Sequence, residues 1–597
     1  MYKREYTELL KSWCDAMLKL QIIEIKSEGI YGGIMCPSCS RIHGRSADAI
    51  YPFMYMAHTY NDQKFLDAAM RLFDWSSHVS RPDGSFINDT SAIWKGITVF
   101  GTIQLGEAIK YHGCILEPAV LAKWKARLRS AAEFLYGFIH MSVSNINYPI
   151  TCSAALAIAG TVLDEPRYIA RAREFARNSL EYFTPNNLIY GEGKPANRLS
   201  ERGCRPVDLG YNVEETLGGL TMYGLLTKDN VVLDKVTESL NEHLEFMLPD
   251  GAWDNSWGTR SSKWTYWGSR TSDGCQIAYA LMKDRNPIFA EAAYRNLQLY
   301  KECTHEGMLH GGPHYNNVGE LPCIHHTFTH AKALATILDH DACGECTSDK
   351  LQLPREKSKG VIEYPEILTY LVSIGEWRGT ITAYDWEYVK DGHATGGAIT
   401  MLWNEKIGPL LVGTMTEYQC IEPNNMRIPI GLNHACLTPT VVYIENGIEY
   451  KSINDYDAQV KYFSKDDEIQ FFIKGMLKDN NKSNPESGEI GFNMNYIFRT
   501  DCVEIKLDTD SEINRGNIIY DIPIISKHQE GIRYIDDNNI SIDKENATVM
   551  IGSNCKLNIL DSHTTKRIYN LCPGFEAVPV YVNLKASEKV EISISIK

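Results

Sequence analysis

The sequence predicts an α+β multidomain chain: an (α/α)6 toroid followed by an antiparallel β-sandwich. Three observations predict it. Over the first 340 or so residues, helices that are apolar nearly all round alternate with helices charged on one face only. From about residue 362 the period shortens to two, in short runs parted by turn signals. The chain has 597 residues, more than one hydrophobic core serves.

Six segments of the first kind open on a polar or glycine-rich loop and then turn apolar: "SADAIYPFMYMAHTY", "TSAIWKGITVFGTIQLGEAI", "NYPITCSAALAIAGTVL", "YNVEETLGGLTMYGLL", "SDGCQIAYALMKD" and "CIHHTFTHAKALATIL". These should be buried. Between them lie six amphipathic helices, near residues 2–20, 62–79, 117–140, 165–183, 229–247 and 287–303. Such strict alternation is what an inner and an outer ring of helices require. "GAITMLWN", "GPLLVGTM", "EIQFFIKGML", "CVEIKLDTD" and "KVEISISIK" read as strands. The boundaries follow: residues 1–345 form the toroid, the hydrophilic 346–361 the linker, and 362–597 the sandwich.

Composition bounds the function. Hydrophobic content of 44% and charged content of 23% are ordinary for a globular chain. A net charge of −15 argues against nucleic acid and anionic membranes as partners. No 18-residue apolar run is present, and the charged N-terminus lacks an h-region. The 16 cysteines are scattered, many in apparent helices, as at Cys152 and Cys275. Reduced thiols and a cytoplasmic location are therefore expected. A homo-oligomer is left open.

In a toroid the inner helices run parallel, so their N-termini, with free N–H groups and positive dipole ends, share one rim. The loops entering that rim are long and chemically rich, and those on the far rim are short. Going round it, the helices bring Arg45 and Asp48; Asp89, Trp94 and Lys95; Asn145, Asn147 and Tyr148; Glu214 and Glu215; Arg270 and Asp273; and His314, Tyr315, His325 and His326. The fifth loop adds Trp253, Trp257, Trp264 and Trp267. Aromatic faces with carboxylates and amides make a carbohydrate site, and the cations suggest a carboxylate on the sugar, bound by Arg45, Lys95 or Arg270. Asp89 reads first as a helix cap, and Asp273 as a cap or a functional group. Paired carboxylates at the head of a buried helix point to a catalytic or ligand role for one of Glu214 and Glu215. His325 and His326 point apart on one helix, so at most one faces the pocket. His330, a turn deeper, reads as packing.

"CPSC" (Cys36 to Cys39) and "CGEC" (Cys343 to Cys346) suggest a four-cysteine zinc site, but the toroid puts them at opposite rims. A local site of Cys36, Cys39 and His43 is short of a fourth ligand. No metal and no cofactor are expected.

With these residues in place, the chain resembles the carbohydrate-active enzymes built as an (α/α) toroid plus a β-sandwich. They include the heparinase II/III-like and alginate-lyase-like polysaccharide lyases and the toroidal β-glucuronidases. "SNINYPITCSAALAIAG" is similar to the lyases' inner helix whose asparagine neutralises the uronate carboxylate, which implies that role for Asn147, with Asn145 second. "DWEYVKDGHATGGAITMLWNEKIGPLLVGTMTEY" is similar to the start of the lyase sandwich and makes His393 the counterpart of its histidine. The carboxylate that usually follows there is replaced by "ATGG". The resemblance leaves two mechanisms. A lyase would use Asn147, His326 and Tyr315. A hydrolase would pair Glu214 or Glu215 with Asp273. A cytoplasmic enzyme meets oligosaccharides rather than polymers, so the expectation is an exo-acting, β-glucuronidase-like glycoside hydrolase. Substrate contacts would come from Arg45, Asp48, Trp94, Lys95, Asn147, Tyr148, Trp267, Arg270, His314 and His393. The alternatives are a lyase cleaving at a uronic acid by β-elimination, and a non-catalytic sugar-binding protein.

Overall fold

The computed structural model describes residues 2–24, 27, 29–89, 92–274, 276–344, 351–421, 426–427, 435–510, 518–560, 566–584 and 589–597. Cys275 and Cys346 lie outside the described residues. The chain forms two compact units. One comprises Met1–Asn197, Leu209–Trp253 and Trp267–Leu353; the other comprises Arg198–Asp208, Asp254–Tyr266 and Pro354–Lys597. Two segments that read as toroid loops therefore belong to the second unit.

The first unit is helical. Among the described residues its inner helices are α2 (Ile50–Tyr60), α4 (Thr98–His112), α6 (Asn147–Leu163), α9 (Leu217–Thr227), α11 (Gln276–Leu281) and α13 (Ile324–Asp339). The outer helices are α1 (Tyr2–Leu20), α3 (Gln63–Trp75), α5 (Pro118–Phe138), α7 (Pro166–Asn178), α10 (Asn230–His243) and α12 (Pro287–Glu302). One turn, α8 (Leu209–Tyr211), leads into α9 through a π-turn at Asn212–Thr216. Each inner helix touches the next, and α13 returns to α2, so the ring closes. No helix among the described residues is long and apolar enough to cross a membrane.

The two rings begin their helices differently. From α3 onward the outer helices start on side-chain caps or proline: Asp62 accepts from the Lys64 N–H, Asp229 from Val232 and Asn286 from Ile288, and α5, α7 and α12 carry an early proline. At α4, α6 and α13 the residue before the helix is Ile97, Ile146 or Cys323, and none of these caps with its side chain. The inner N–H groups are thus left for partners from elsewhere on the rim, which is what a binding surface needs.

The second unit is antiparallel β. A five-stranded sheet runs in chain order from Gly360–Tyr364 to Gly408–Val412. An eight-stranded sheet has Cys502–Asp510 and Val590–Ile596 paired at its centre, and a third sheet is centred on Ile518–Ile525 and Phe575–Leu584. Alternate residues of these strands, such as Phe471, Ile473, Ile505, Leu507, Ile592 and Ile594, share one apolar core. The result is a toroid-plus-sandwich architecture, as the change of period predicts.

Candidate active site

Helix starts in the toroid bring the chemistry together. Arg45 and Asp48 lie on the 3-10 turn Gly44–Ala49 that feeds α2. The Arg45 guanidinium donates to Asp48 (Nη2–Oδ2 2.7 Å) and also pairs with Asp273, just before α11. Lys332, on α13, donates to Asp273 (2.7 Å) and lies 3.4 Å from Asp48. Two cations thus balance two carboxylates, all four buried. Lys332 is the member that sequence reasoning missed. Its signal was a single lysine inside an apolar helix, a residue that is buried only when paired. Burial alone would raise the Asp273 pKa, but Arg45 and Lys332 overcome it and hold the carboxylate below its usual range. Asp273 is an anchor of this network rather than a cap.

The second group is built on α6 and the π-turn. Asn147 is fully buried at the first position of α6, and its Nδ2 donates to Glu215 Oε2 at 2.6 Å. Among the described residues the Asn147 Oδ1 has no hydrogen-bond partner. Glu192, from the loop after α7, accepts the Asn147 backbone N–H at 3.1 Å. It is a second residue that the sequence did not single out, although its setting, "YGEGKP", was open to view. The π-turn sends its adjacent carboxylates in different directions: Glu214 accepts from the Ser269 N–H (2.7 Å), whereas Glu215 faces α6. Burial pushes the Glu215 pKa up to about 8, and the neighbouring Asp273 charge adds to this. The Asn147 hydrogen bond and Arg45 offset only part of the rise. Glu215 is therefore a neutral carboxylic acid near pH 7.

The third group answers for the histidine-rich stretch. His326 packs edge-on against Trp267 (5.7 Å between ring centres), whose Nε1 donates to the His310 carbonyl. Gly311 sits between His326 and Tyr315: a β-carbon there would lie 3.1 Å from each ring. Neither ring nitrogen of His326 has a hydrogen-bond partner among the described residues. Burial, followed by the nearby Arg270 charge, keeps its imidazole neutral. His330 donates to the His326 carbonyl (Nδ1–O 2.7 Å) and packs on Trp267 and Tyr300, a core histidine as expected. His325 faces His43, and His314 is buried.

Other predicted contacts fall elsewhere. Lys95 is spent on Asp83 (2.5 Å) near the surface. Arg45 is spent on two carboxylates, and buried Arg270 lies beside the histidines. Trp94 and Tyr148 form a half-buried edge-to-face pair with ring centres 5.0 Å apart. His393 lies in the second unit, where its Nε2 donates to the Tyr384 carbonyl at 3.1 Å and its ring stacks on Tyr456. That bond leaves Nδ1 as the basic nitrogen, and burial lowers the His393 pKa to about 4. Tyr211 also escaped notice; its hydroxyl pairs with Thr271 (2.6 Å) directly before the π-turn.

Family models for the ulvan lyase N-terminal domain and the ulvan lyase C-terminal domain match residues 10–356 and 361–597. The chain belongs to the ulvan lyase family. It is 40% identical over 586 residues, 97% of its own length and 91% of the other's, to a broad-specificity ulvan lyase of Formosa agariphila. Its fold is similar to that of heparinase III (TM-score 0.57, 10% identity, 99% of this chain and 84% of that one). It is also similar to chondroitin AC lyase of Streptomyces coelicolor A3 (TM-score 0.53, 11% identity, 100% and 79%). These findings overturn the expectation of a β-glucuronidase-like glycoside hydrolase in favour of its lyase alternative. The Asp273 carboxylate named for the hydrolase is already paired with two cations, Arg45 and Lys332.

Proposed function

We propose that this ulvan lyase family member cleaves ulvan or a related uronate-bearing polysaccharide by β-elimination. The observation that carries the reading is the buried Asn147–Glu215 pair. An amide beside an un-ionised carboxyl can hold a uronate carboxylate by hydrogen bonds without adding negative charge, which stabilises the carbanion formed at C5. His326, neutral through burial, takes the C5 proton. The electron pair left behind forms the C4–C5 double bond, the C4–O4 bond breaks, and a tyrosine hydroxyl protonates O4. Tyr315, flanking Gly311 with His326, is the first choice for that acid, and Tyr211 beside the π-turn is the second. Arg270 adds positive charge near the histidines, and Trp94 and Tyr148 offer faces for neighbouring sugars. The match to a broad-specificity relative supports a site that tolerates more than one uronate polymer.

The test is the ultraviolet absorbance of the unsaturated uronate released from ulvan. Asn147→Ala, His326→Ala and Tyr315→Phe should each lower kcat by ~10²–10⁴, the range for loss of acid–base catalysis. Loss with Tyr211→Phe, but not with the Tyr315 variant, would transfer the role of the acid. New reducing ends without the absorbance would overturn the elimination reading.

A further inference from the structure

The "CPSC" loop was read as lacking a fourth ligand, and the fold supplies one. Cys323, the residue before α13, brings its Sγ to 3.9 Å from Cys36 Sγ and to 3.7 Å from His43 Nε2. The same His43 nitrogen lies 3.4 Å from Cys39 Sγ. The ligand atoms of Cys36, His43 and Cys323 all fall within 4.8 Å of one another, and the three residues are buried. We propose that Cys36, Cys39, Cys323 and His43 Nε2 form a four-coordinate site for zinc.

The distances fit. Zinc bonds of ~2.3 Å to sulfur and ~2.0–2.1 Å to nitrogen, arranged as a tetrahedron, put ligand atoms about 3.6–3.8 Å apart. The observed separations of 3.4, 3.7 and 3.9 Å bracket that edge. A disulfide would need ~2.05 Å between sulfurs. The backbone is shaped for the task as well. The Cys36 N–H donates to the Arg41 carbonyl, the Ser40 N–H donates to the Cys36 carbonyl, and Ser40 takes φ +54°. The same turn carries Cys39, whose Sγ lies 3.4 Å from His43 Nε2.

Four protein ligands leave no open position, so the ion is structural and takes no part in the elimination. Its place explains its use. Cys36 and Cys323 are 287 residues apart, on the first and last inner helical hairpins, where the ring of helices closes on itself. A clip across so long a stretch of chain removes much entropy from the unfolded state. It also ties the turn bearing Arg45 and Asp48 to the helix bearing His326 and Lys332. This inference rests on the cysteine geometry and stands or falls apart from the lyase reading.

The experiment uses the full-length protein, purified without a metal-affinity step. Elemental mass spectrometry should find one zinc per chain, released when a mercurial titrates the thiols. Cys323→Ser and Cys39→Ser should lose that zinc and unfold at a lower temperature, while Cys502→Ser, in the β unit, keeps it. Where the serine variants fail to fold, the wild type still decides. X-ray absorption at the zinc edge should give three sulfur neighbours and one nitrogen at ~2.3 and ~2.0 Å. Cobalt exchange should bring thiolate-to-metal charge-transfer bands. A protein that stays substoichiometric in zinc after reconstitution, a Cys36–Cys323 disulfide found by mass mapping, or a metal without sulfur neighbours would overturn the site.

Discussion

Glu215 is the residue whose titration the structure makes measurable. Its folded pKa of about 8 lies above the value of about 4.3 expected for an unfolded chain. Between those limits the folded protein holds a proton that the unfolded chain has released. Its contribution to stability is therefore full below about pH 4.3 and lost as pH rises through about 8. Activity should follow the same proton. Once ionised, Glu215 would set a negative charge against the uronate, so kcat/KM should fall about tenfold per pH unit above the pKa. Glu215→Gln keeps a neutral donor and should lose that alkaline limb while retaining activity near pH 7. An unchanged limb in the Gln variant would show that another group titrates. The sequence made the pair Glu214–Glu215 conspicuous, but it could not say which of the two faced Asn147. Lys332, Glu192 and Cys323 went unread for a related reason: each has meaning only beside partners distant in the chain.

At the scale of elements, the inner helices were legible because a helix buried on every side has no polar face, and its outer partner does. The π-turn was not legible. One extra residue in the turn Asn212–Thr216 leaves no mark on the residue types, yet it decides where two carboxylates point. Thr216 holds the turn open, its Oγ1 lying 3.0 Å from both the Tyr211 and the Asn212 carbonyl oxygens. Thr216→Val keeps the shape and removes the donor, at a cost of ~1–3 kcal/mol for the buried carbonyls left behind. If the segment then relaxes towards a regular α-helix, each residue turns through ~100°. Glu215 would swing away from Asn147. Turnover should drop by ~10²-fold, the scale of a misplaced catalytic group, in a protein that still folds. Unfolding curves and single-turnover rates on the same sample check this. A rate loss no larger than the unfolded fraction explains would leave the turn with a structural role alone. The choice of a hydrolase had failed one step earlier, because it leaned on where the enzyme was expected to meet its substrate. Location says nothing about whether water or a β-elimination breaks the bond.

At the scale of the whole molecule, a linear reading placed the unit boundary only in the linker, whereas the second unit gathers three stretches of chain. Residues 198–208 and 254–266 pack with the β-strands, and chain order gives no sign of this because it does not say what a loop packs against. Their attachment is polar and buried. Asp254 is fully buried and accepts from Arg355 (2.8 Å), from Ser256 (2.7 Å) and from the Thr380 hydroxyl. Arg355, itself buried, also donates to the Gly379 carbonyl (2.7 Å) on the adjoining strand. A charge pair this deep adds little net energy beside an apolar pair of the same size, but losing one partner strands the other charge without water. Arg355→Met should therefore destabilise the β unit by ~3–5 kcal/mol, read from denaturant unfolding. Asp254→Asn should cost less, because its one amide oxygen can still accept on the side of Arg355 and Thr380. If the pair is what seats residues 254–266, the double variant should be more stable than the sum of the single losses, by ~1–3 kcal/mol. Strict additivity would mean that the segment is held by its other contacts, among them the Cys572 thiol donating to the Ser262 and Trp264 carbonyls.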